Sequence, residues 1–123
     1  MIGTEDYKYR DELKQRTKSF ALRVIKLFQS LPEASEAQII GKQMLRSSTS
    51  IAANYRAACR ARSNAEFHSK LCIVVEEADE TMFWLELLWE AGIVKHELLK
   101  YLYQENEEIL KIMVVSRKNS EKK

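Results

Sequence analysis

Leu13, Thr17, Phe20, Val24, Leu27 and Leu31 recur at alternating four- and three-residue steps. That spacing gathers them on one face of a helix and leaves the polar positions on the other. It predicts a first helix over about 7–31, stopped by Pro32, which has no N–H to continue the ladder. Ser35 and Gln38 have the spacing of a capping box, predicting a second helix over about 36–62. Ser63 and Glu66 repeat the signature and open a third over about 64–91, closed at Gly92. Leu99, Leu102, Ile109 and Met113 mark a fourth over about 95–117, followed by a charged tail, 118–123. Long helices with short connections pack against their chain neighbours. The expected fold is all-α: one domain, an up-and-down antiparallel four-helix bundle. A three-helix solenoid would need an internal repeat, and none is visible.

The second and third helices depart from an even pattern in opposite ways. Continuing the core register through the second gives Ile40, Met44, Ser47, Ile51, Asn54 and Ala58; the neighbouring stripe is Leu45, Ser48, Ala52, Tyr55 and Cys59. Small side chains let helix backbones approach closely. Ser47 and Asn54 then require partners, since an unpaired buried polar group costs roughly 1–3 kcal/mol. The expected answer is a hydrogen-bonded polar layer that sets register. The third helix places Phe67, Leu71, Val74, Ala78, Thr81, Leu85 and Leu88 inward, yet "TMFWLELLW" is apolar nearly all round. One bundle face cannot bury that much, and a surplus apolar surface usually marks an interface. Self-association through Phe83, Trp84 and Leu87 is expected.

Composition narrows the class. Of 123 residues, 46% are hydrophobic and 31% charged, the balance of a folded chain. No apolar run reaches the length of a membrane span, and the N-terminus is charged from Glu5 onward, so cytoplasm is expected. Cys59 and Cys72 fall on successive helices. Their axial offset of roughly 7 Å disfavours a disulfide.

Charge is uneven although the net is only +2. Between Lys42 and Lys70 there are six bases and one acid; between Glu76 and Glu90 there are six acids and no base. Arg56, Arg60, Arg62 and Lys70 are candidate phosphate contacts. The helix dipole, or pairing with the acids of the next helix, would also account for them.

Catalytic patterns are missing. A di-iron bundle needs Glu-x-x-His on two helices, but Ala65 and Ile93 stand at that spacing before His68 and His96. His68 and Cys72, at i and i+4, supply only two metal ligands. No phosphate loop or nucleophile elbow is present. No enzyme activity, cofactor, metal or small-molecule substrate is expected.

The stretches "QMLRSSTSIAANYRAACRARSNAEF" and "EEADETMFWLELL" resemble the four-helix-bundle family of the 23S rRNA intervening-sequence protein. Arg46, Ser47, Ser50, Ile51, Asn54, Arg62, Ser63, Glu66 and Phe67 carry the pattern. Where the common form continues with Ile-Ala-Glu-Gly after the Asn, this chain has Tyr55, Arg56, Ala57 and Ala58 and so a more basic surface. The resemblance implies a homopentameric barrel of bundles. It extends in fold to the accessory variability protein of diversity-generating retroelements, which implies RNA or a nucleic-acid–protein complex as partner.

Three functions are compatible with these residues. The first is a non-catalytic oligomeric scaffold binding nucleic acid through the basic patch. The second is a protein-interaction module using the acidic third helix. The third is a thiol or metal sensor built on Cys59, Cys72 and His68.

Overall fold

The computed structural model describes residues 4–121, with side chains from Tyr7 onward. Four helices follow in order: α1 (Thr4–Gln29), α2 (Ser35–Cys59), α3 (Asn64–Glu90) and α4 (His96–Ser120). Each helix packs on its chain neighbours, α1 also meets α4, and the diagonal pairs do not associate. This is the four-helix bundle that the periodicity predicts. The α2–α3 interface is the most extensive and α1–α4 the least.

The α1 stripe is the α1 contribution to the core: Leu13, Thr17, Phe20, Val24 and Leu31 are buried and Leu27 packs against them. Thr17 is polar but satisfied, its hydroxyl donating to Leu13 O at 2.9 Å. Gly92, at φ 72°, takes the left-handed turn beyond α3 that a side chain would disfavour. At Ser63 the side chain accepts from the Glu66 backbone N–H at 3.1 Å, capping α3.

The ends of the second and fourth helices differ from expectation. The Ser35–Gln38 capping box does not form. Ala34 takes the cap position with no side-chain hydrogen bond, and the Gln38 amide instead donates to Pro32 O at 2.9 Å. The α2 ladder ends at Cys59 rather than residue 62, because the chain must turn before Ser63 can cap α3. The fourth helix extends to Ser120, so Lys118, Asn119 and Ser120 are helical and only Lys122 and Lys123 of the expected tail lie outside the described residues.

α2 is not as slim as its small residues imply. Tyr55 is 1% exposed and is the largest fully buried side chain. Burial, with the Cys59 thiol beside it, pushes its hydroxyl well above the ordinary tyrosine range. The polar layer forms only in part. Ser47 Oγ meets Thr81 Oγ1 across the α2–α3 seam at 2.7 Å, and Thr81 donates onward to Glu77 O at 2.8 Å. Asn54 takes no part in it. It is half-buried, and its Nδ2 donates within α2 to Ser50 O at 3.0 Å and Ser50 Oγ at 2.8 Å. The inward asparagine is Asn106 on α4, fully buried, with Nδ2 donating to Ala78 O at 3.1 Å.

Candidate nucleic-acid interface

α1 and α2 run side by side with a groove of about 510 Å³ between them. Its floor along α2 is Thr49, Ala52 and Ala53, short side chains that leave the space open. Arg56, in the last turn of α2, and Arg60, its C-cap, line one side of the groove; Lys14 and Lys18, one turn apart on α1, line the other. The lining has one acid, Asp11, which already pairs with Lys14 at 2.9 Å. Among the described residues, Lys18, Arg56 and Arg60 have no acidic partner. Four cations thus line one groove, three of them without an acidic partner, a geometry that attracts phosphate oxyanions.

The other bases of the Lys42–Lys70 segment behave differently. Arg46 is spent inside the fold. Its guanidinium bridges Glu77 at 3.1 Å and Glu80 at 2.6 Å on α3. The hydrogen bond from Arg46 holds the Glu80 carboxyl below its usual range, helped by the Trp84 indole N–H at 3.3 Å. Pairing with the acidic helix therefore accounts for Arg46 but not for Arg56 or Arg60. Arg62 is 92% exposed at the α2–α3 turn, loosely paired with Glu66 at 3.9 Å, and Lys70 lies half-buried on α3. Neither lines the groove. The structure brings Arg56 and Arg60 together with Lys14 and Lys18, two lysines that sequence reasoning missed. Their i, i+4 spacing beside the α1 core stripe was the available signal; their approach to α2 is set by packing.

The remaining motif residues are structural. Ser50 accepts from Asn54, Ser63 caps α3, and Phe67 packs on the core beneath the Arg10 guanidinium, 4.4 Å from its ring centroid. Of the three α3 residues expected at an interface, Phe83 is 50% exposed, while Trp84 and Leu87 are half-buried and Trp84 packs against the core. Phe83 and Trp84 meet edge to face with centroids 5.1 Å apart.

Among the described residues, no group of three or more His, Cys, Asp or Glu is arranged to hold a metal ion. Both cysteines are free thiols. Among the described residues, no helix is long and apolar enough to cross a membrane.

The fold and its small-residue α2 define a helical-bundle protein of the kind the motif suggested, and the comparisons agree. Residues 10–115 match the model of the 23S rRNA-intervening sequence protein family, and the chain belongs to that family. It is similar to a solved structure from Bacteroides thetaiotaomicron, described as a protein with unknown function from the S23 ribosomal protein family. The two are 36% identical with a TM-score of 0.82, over 89% of this chain and 97% of that one. No curated protein matches the chain.

Proposed function

We propose that this protein is a non-catalytic, cytoplasmic, oligomeric scaffold that binds structured RNA along the α1–α2 groove. The observation that carries this reading is the convergence of Lys14, Lys18, Arg56 and Arg60 on one channel whose single acid is already paired. Arginine and lysine at such spacing contact successive phosphates without reading base identity. Binding through four contacts has a log–log salt slope of about −3 to −4. The test is titration of a labelled structured RNA across a salt series. Arg56→Glu with Arg60→Glu is expected to abolish the salt-sensitive binding. Unchanged affinity in that double variant rejects the groove.

A second part of the proposal concerns assembly. Exposed Phe83 and its acidic neighbours on the outer face of α3 support a contact between copies of the chain. The surface we assign as its counterpart lies between the end of α1 and the start of α4. There a cleft of about 730 Å³ has Leu27 and Leu102 in its lining and Arg23, Lys26 and Lys95 around it. Contact between unlike faces repeats around a closed ring, the geometry a homopentamer requires. Such a ring would repeat the basic groove on every subunit. If the oligomer ignores RNA even at low salt, the acidic α3 face becomes the site for a protein partner instead.

A further inference from the structure

His68 sits between a thiol and a hydroxyl at the end of the bundle where α3 begins and α4 finishes. Its Nδ1 lies 2.6 Å from Ser120 Oγ, and its Nε2 lies 3.6 Å from Cys72 Sγ, one turn along α3. Ser120 Oγ is also 2.6 Å from Arg117 O. A hydroxyl has one proton, and a carbonyl oxygen can only accept. Ser120 therefore donates to Arg117 O and accepts from His68. In the neutral ring this assigns the proton to Nδ1 and leaves the Nε2 lone pair facing the Cys72 thiol. The Asn64 amide donates to Ser120 O at 2.8 Å and pins the end of α4 in place, so the arrangement is held from both helices. Nucleophile, base and an orienting third group are the three parts of an activated nucleophile.

We propose that Cys72 is a nucleophilic thiol, primed by His68 for reversible exchange with small disulfides such as glutathione disulfide. Cys72 passes its proton to His68 Nε2 as Sγ attacks one sulfur of the disulfide. The disulfide S–S bond breaks, a Cys72–glutathione S–S bond forms, and the second glutathione leaves as a thiolate that recovers the proton from the imidazolium. The Cys72 sulfur is oxidised and the departing sulfur reduced, so the disulfide is the only oxidant required. Cys72 is half-buried. Cys59 is the internal contrast. It is also half-buried, but it lies against Tyr55 without an imidazole, and burial pushes its thiol up.

The experiment is exposure of the native protein to glutathione disulfide, with peptide mass mapping to follow each cysteine separately. Cys72 is expected to form the mixed disulfide about tenfold faster than Cys59. His68→Gln is expected to slow Cys72 about tenfold and leave Cys59 unchanged. This is less than the hundredfold that a positioned base usually contributes, because sulfur is intrinsically nucleophilic and depends less on its base than a hydroxyl does. Equal rates at the two cysteines overturn the proposal, as does an unchanged Cys72 rate in folded His68→Gln. Should His68→Gln unfold the chain by circular dichroism, Ser120→Ala decides instead. It keeps the ring but releases the tautomer, and the Cys72 rate must fall.

Discussion

The hydroxyls of Ser47 and Thr81 meet at 2.7 Å across the α2–α3 seam, both side chains fully buried. Each hydroxyl also has a carbonyl of its own helix in reach, Glu77 O at 2.8 Å from Thr81 and Met44 O at 3.3 Å from Ser47, and the shorter contacts favour Thr81 donating to Glu77 O and Ser47 donating to Thr81. This is the one side-chain hydrogen bond in the described core that joins two helices through hydroxyls alone, and it lies at the bundle's broadest interface. Ser47→Ala removes the donor and is expected to cost about 1 kcal/mol. Thr81→Val leaves the Ser47 hydroxyl only the longer contact to Met44 O, at 3.3 Å, and is expected to cost about 1 kcal/mol. The double variant should cost less than the sum, since the shared 2.7 Å contact can be lost only once. Urea denaturation of the four proteins measures the coupling, and strict additivity would show that the pair is not energetically linked.

Arg46 and Glu80 set a pH dependence. The Glu80 carboxyl is held below its ordinary range in the folded protein, chiefly by the hydrogen bond from Arg46. Such a group adds stability above its unfolded pKa, and that stability is lost as pH falls through the folded value. The deficit of Arg46→Met relative to the native chain should therefore be complete at pH 7. It should narrow below the normal glutamate range and vanish in acid. Arg46 is half exposed, so the effect is small, up to about 1 kcal/mol, and salt should weaken it. Thermal midpoints of the two proteins across a pH series check this.

Lys14 and Lys18 separate the groove from the rest of the basic segment. If the groove binds phosphate, Lys18→Glu should weaken RNA binding as strongly as Arg60→Glu and reduce the salt slope by about one per lost contact. Arg62→Ala and Lys70→Ala, outside the groove, should leave both affinity and slope close to native. Fluorescence anisotropy at several salt concentrations distinguishes these cases. The reverse ranking would move the interface to the α2–α3 turn.

Phe83 tests assembly without disturbing the core. Half of it is already in solvent, so Phe83→Asp should leave the helical content of the subunit unchanged by circular dichroism. In light scattering it should shift the mass from oligomer to monomer, because it replaces an aromatic anchor by a charge that must be desolvated among Leu27 and Leu102. An unaltered mass would place the subunit contact elsewhere. Trp84 is a poorer probe, since it packs on the core and its indole donates to Glu80.

Much of this bundle could be read directly from residue order. The α1 stripe, the stop at Pro32, the Ser63 cap and the turn at Gly92 are local matters of periodicity and backbone freedom, and each stands where the pattern put it. The family, too, was legible, because its motif is contiguous along α2 and into α3. Local spacing misled where two local solutions competed. Ser35 and Gln38 have the letters of a capping box, but Gln38 found Pro32 O instead. Asn106 was overlooked although it stands four residues after Leu102 and three before Ile109, in step with the core. What tertiary structure decided is which charges meet. Arg46 and Arg56 are alike in sequence, yet one faces α3 and its acids while the other faces α1 and its lysines. A helix in isolation has no neighbours. The rotation of α2 between two others turned one arginine into a brace and the other into open positive charge, and it likewise took the fold to bring Ser120 to His68, 52 residues away.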